Sequence, residues 1–103
     1  MQKGAKIMKI FKVLLSDSDY DDFISAVMVA KDEDTIREHE DEFHQGFLPW
    51  DETKKDKMPI VGVAFRMNSY QSFKSIEEIG TYTGKELPKG KKIGIILANT
   101  RKA

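Results

Sequence analysis

The chain has 103 residues with 17 basic and 17 acidic side chains, 40% hydrophobic content and no cysteine. That suffices for one modest globular core and excludes disulfides, cysteine-ligated zinc, iron–sulfur clusters and a thiol nucleophile. The longest apolar run, Ala26–Ala30, is far too short to span a bilayer, and no signal-peptide pattern is present, so no membrane partner is expected and a cytoplasmic location is.

Zero net charge hides a block pattern. Residues 1–15 carry Lys3, Lys6, Lys9 and Lys12 and no acid. Residues 16–56 carry 14 of the 17 acids against Lys31, Arg37, Lys54 and Lys55, a net charge of −10. The remainder carries nine bases against Glu77, Glu78 and Glu86, a net charge of +6. Fields of this kind act on association rather than on fold. The pattern therefore speaks about partners.

In chain order, Met8 reads as a natural start leading into a first strand, with residues 1–7 as a translated leader or flexible arm and residues 8–103 as a single domain. The run to Ser16 is β-prone, with Ile10, Phe11, Val13, Leu14 and Leu15 broken by lysines. The polar cluster Asp17–Asp22 is a turn. Phe23–Ala30 is a second strand, antiparallel to the first. Asp32 or Asp34 caps a short helix from about Glu33 to Glu42, with its acidic face in solvent. Residues 46–57 form a loop in which Phe47, Leu48 and Trp50 tuck against the core. Ile60–Met67 alternates like a third strand and Asn68–Ser72 is a turn. Phe73–Tyr82 is a fourth strand with Glu77 and Glu78 in solvent. After a surface turn at Leu87–Gly90, Lys92–Ala98 is a last, well-covered strand before a basic tail. The expected fold is α+β: one small antiparallel-rich sheet of about five strands in the order β-β-α-β-β-β, with one short helix packed on it.

Three near-motifs fail on spacing. Asp17, Asp19 and Asp21 imitate the start of a calcium loop, but Asp22 and Met28 occupy the positions that require glycine and glutamate. His39 and His44 are five residues apart, whereas a helical zinc pair requires four. Gly80–Lys85 has three residues between its glycines instead of four, and Glu86 follows the lysine where a phosphate loop needs serine or threonine. No nucleophile elbow is present. No catalytic residue, cofactor or metal is therefore assigned.

What remains is binding chemistry. The acidic turn Asp17, Asp19, Tyr20, Asp21 and Asp22 and the acidic helix residues Glu38, Asp41 and Glu42 are the expected protein-binding surface. Tyr20 is its aromatic anchor and Trp50 a second one. The alternative is a nucleic-acid surface formed by Lys85, Lys89, Lys91, Lys92, Arg101 and Lys102, and a further alternative is self-association of basic and acidic segments.

Two segments carry a resemblance. Phe11-Lys12-Val13, Asp21-Asp22-Phe23 and Val27-Met28-Val29-Ala30 precede an acidic helix. Near the C-terminus, Ile79-Gly80 is followed by a lysine-containing loop and then Ile95-Ile96-Leu97-Ala98-Asn99. This arrangement resembles small uncharacterised proteins encoded by phages and prophages of Gram-positive bacteria. The resemblance covers about the first third and last quarter of the chain, and residues 44–73 depart from it. It implies an accessory protein made inside the host cell that engages a host or phage protein, and it transfers no catalytic residue.

Overall fold

Lysine alternating with bulky apolar residues defines the first strand, β1 (Lys9–Leu15): Phe11, Val13 and Leu15 are buried and Lys12 is exposed. The computed structural model describes residues 7–17, 22–48, 63–84, 87 and 91–100. Its further elements are β2 (Phe23–Ala30), helices α1 (Glu33–Glu38) and α2 (Glu40–Gln45), β3 (Phe73–Thr81) and β4 (Ile93–Thr100). The four strands form one antiparallel sheet in the order β3-β1-β2-β4. With two short helices this is an α+β fold.

The first hairpin sets the register of the sheet. Phe11 lies opposite Met28, and Val13 opposite Ala26, so all four buried side chains share one face. Ile95 joins that face opposite Met28, and Ile93 joins it opposite Ala30. Ile36 from α1 and Phe43 from α2, both fully buried, close the core from above. The Phe43 ring is the hub. Its centroid lies 5.3 Å from Phe47 and 5.3 Å from Phe65, each nearly perpendicular at 84°, and 6.1 Å from Phe73. Edge-to-face packing of this kind adds to the area term of burial.

The single helix expected over residues 33–42 is instead two six-residue helices meeting at His39. Asp32 caps the first, accepting from the Thr35 backbone N–H at 2.8 Å and from its hydroxyl at 2.7 Å. These bonds to the ionised form hold the Asp32 carboxyl below the usual carboxylate value. The His39 ring ends it. Its Nδ1 donates to the Thr35 carbonyl at 2.8 Å, the acceptor that the His39 backbone N–H would use in a continuous helix. That N–H turns to Ile36 O at 3.1 Å, a tighter closure that breaks the run. Gly46, at φ 102°, ends α2 in the left-handed region that glycine enters without strain.

The strand expected over residues 60–67 is not present among the described residues, which here begin at Val63. The period-2 pattern holds over residues 64–67, where Phe65 and Met67 are buried while Ala64 and Arg66 are exposed, but Val63, in phase with the buried pair, is exposed. The backbone groups, however, go to three different places. Val63 N–H bonds Ile95 O at 2.7 Å, Phe65 exchanges both bonds with Phe47, and Met67 N–H bonds Phe43 O at 2.9 Å. An extended segment shared among three elements forms one isolated bridge and no ladder. Among the described residues the sheet thus has four strands, and the order of elements is β-β-α-α-β-β. β4 runs on through Asn99 and Thr100, which were expected in the tail, and it lies at an end of the described sheet.

The open face of the sheet is partly covered at one end. A side chain on Gly94 would meet Leu87 Cδ2 at 2.7 Å, so Leu87 lies directly over the glycine. Val29 beside it is buried.

Candidate functional site

The two helices put six carboxylates within thirteen residues of chain, and three of them have a local basic partner, an arginine in one case and a histidine, charged only when protonated, in two. Arg37 Nη2 lies 2.8 Å from Glu33 Oε2, His44 Nε2 lies 3.5 Å from Glu40, and His39 Nε2 lies 3.6 Å from Glu42. Asp34, Glu38 and Asp41 have no ion pair among the described residues, and all three are exposed. Asp34 and Glu38, four apart, share one face of α1, and Asp41 is exposed in the first turn of α2 just beyond the break. The result is a ridge of three carboxylates without an ion pair among the described residues.

Of the residues expected from the sequence, Glu38, Asp41 and Glu42 therefore stand together on the helices. Asp17 is exposed at the end of β1, in the left-handed region at φ 54°, a conformation that aspartate tolerates better than most residues. Asp19, Tyr20, Asp21 and Trp50 lie outside the described residues. Asp22 has a different environment: it is 9% exposed. Its two oxygens accept from the Asn68 side-chain amide and the Tyr70 hydroxyl. Beside it, Gln71 Nε2 donates to Phe23 O at 2.8 Å, and Gln71 Oε1 accepts from Asn68 N–H at 2.9 Å. Asp22 thus fastens the turn at residues 68–71 to the start of β2, with its carboxylate turned into the chain. Asp22→Ala is expected to lower stability by about 1–3 kcal/mol, because two donors lose a part-buried acceptor. Urea unfolding would read this, and a loss below about 0.5 kcal/mol would contradict the role.

On the basic side, Lys85, Lys89, Arg101 and Lys102 lie outside the described residues. Lys91 and Lys92 lead into β4 and line a cleft of about 340 Å³ with Glu38, His39, Glu42 and Phe47. An adjoining hollow of about 250 Å³ adds Met8, Lys31 and Thr35. Lys91 Nζ sits 5.5 Å over the Phe47 ring, a cation–π arrangement. The two described lysines of the basic segment therefore face carboxylates of the acidic helices across one cleft. Charges that are separated in sequence are brought together here, and the ridge lies outside this compensated zone except for Glu38.

Among the described residues no group of histidine and acidic side chains has the arrangement of a metal site. No described helix is long and apolar enough to cross a membrane. Asp34 completes the ridge but was not among the residues expected from the sequence. The signal that identifies it is pairing: Glu33 has Arg37 four residues on, whereas Asp34 has Glu38. Comparison with protein-family models, with curated proteins and with solved structures finds no match to this chain.

Proposed function

We propose that this chain is a non-enzymatic protein-binding module that presents its acidic helical ridge to a basic surface on a partner protein. One observation carries the reading: among the described residues Asp34, Glu38 and Asp41 are exposed and make no ion pair, whereas Glu33 pairs with Arg37, and Glu40 and Glu42 lie beside His44 and His39. Uncompensated charge on a rigid element costs little in the free protein and supplies steering and register in a complex. The resemblance to phage and prophage proteins supports a role inside a bacterial host, with a host or phage protein as the partner.

Nucleic acid is the less favoured partner. Phosphate binding through Lys91 and Lys92 would bring phosphate oxygens beside Glu38 and Glu42 in the same cleft, where like charges repel. The two readings separate on immobilised heparin and duplex DNA. The protein is expected to pass both at low salt. Tight retention that falls steeply with salt would overturn the protein-binding reading.

A further inference from the structure

We propose that the outer edge of β3 is the interface of a twofold dimer with a second copy of this chain. This inference is independent of the acidic ridge. β3 closes one end of the sheet, and its inner edge is paired to β1. At the other end, β4 already receives the Val63 N–H at Ile95 O. Among the described residues no strand pairs with the outer edge of β3; such an edge is a template for another strand, and here the occupant is indicated by the residues of the edge itself.

The strand is symmetric in apolar residues and antisymmetric in charge about Ile76. Phe73 and Ile79 lie three residues to either side of it, with Lys74 two residues before and Glu78 two residues after. In an antiparallel pair centred on Ile76, Ile76 faces its own copy, Phe73 faces Ile79, and Lys74 faces Glu78, each contact occurring twice. Self-complementarity of this kind is what an isologous interface requires, and opposite charges or apolar pairs placed across strands stabilise the pairing. A register centred one residue later would set Glu77 against Glu77, which disfavours it. Ile79, 52% exposed as the extra residue of a bulge against β1, gains a neighbour in this arrangement. Glu78 already takes Lys9 Nζ at 3.3 Å and would hold the second copy's lysine from the other side. Bulges next to Lys74 and Ile79 leave Ser75–Glu78 as the regular centre, so the contact is small beside a standard interface of ~1,200–2,000 Å². The dimer is therefore weak and concentration-dependent.

Sedimentation velocity at low salt, from micromolar to millimolar protein, tests this directly. The expected result is a monomer–dimer equilibrium that Lys74→Glu or Glu78→Lys alone weakens roughly tenfold, and that the double reversal restores. A wild-type monomer throughout the range would overturn the proposal. So would single reversals that leave the dimer constant unchanged. Hydrogen exchange on the unaltered protein provides a second readout, independent of any effect of the substitutions on folding. Protection of the Ile76 and Glu78 amides is expected to rise with protein concentration, and protection independent of concentration would equally refute the interface.

Discussion

Phe43→Ala is expected to destabilise the protein by about 3–5 kcal/mol, the range for removing a fully buried phenylalanine. Phe43 has no exposed surface, and its ring meets Phe47, Phe65 and Phe73 edge to face. It is also the point where α2, the extended segment at Phe65 and the sheet join, since Phe43 O accepts the Met67 N–H at 2.9 Å. Truncation leaves a cavity bounded by three aromatic rings fixed by other contacts, which limits collapse. A domain of this size has about 5–15 kcal/mol in total, so the variant sits near the threshold of folding. A fall in melting temperature of about 15 °C is expected. A loss under about 1.5 kcal/mol by urea unfolding would mean that the aromatic cluster is not the keystone of the core.

Neutralising the ridge has the opposite profile: little effect on stability and a large one on association. Asp34→Asn, Glu38→Gln and Asp41→Asn together remove three exposed carboxylates without breaking an ion pair among the described residues. The helices should therefore keep their caps and buried faces. Three charge contacts at an interface rim are worth about 0.5–1 kcal/mol each. Partner affinity should accordingly drop roughly 10- to 100-fold, chiefly through slower association and a weaker salt dependence. The matched control is Glu33→Gln, Glu40→Gln and Glu42→Gln together, which removes three carboxylates that already have Arg37, His44 and His39 beside them and should lower affinity less. Equal losses in the two variants would mean that overall charge, rather than the ridge, governs binding.

The hairpin was legible in the sequence because two β-prone, largely apolar runs are separated by a polar cluster. Phe23–Ala30 has the same limits in sequence and structure. The helical segment was legible but its break was not. His39 interrupts it by a side-chain bond to the Thr35 carbonyl, and residue spacing carries no information on which donor wins that acceptor. Alternation reported burial correctly at Phe65 and Met67 but not at Val63, which is exposed, and it did not give strand pairing, because pairing depends on a neighbour that the local sequence does not name. The same limit applies to Asp22. Its place in an acidic run suggested solvent, whereas Asn68 and Tyr70, more than forty residues away in the chain, turn its carboxylate inward. The block pattern of charge suggested an acidic surface, and Lys91 and Lys92, which share a cleft with Glu38 and Glu42, offset part of it.

Affinity capture from a nuclease-treated lysate of a Gram-positive host, run in parallel with wild-type protein and the triple ridge variant, tests the central claim most directly. The account predicts a discrete protein retained by the wild type, resistant to nuclease and lost with the variant. The same proteins on both baits, or capture that nuclease abolishes, would contradict it.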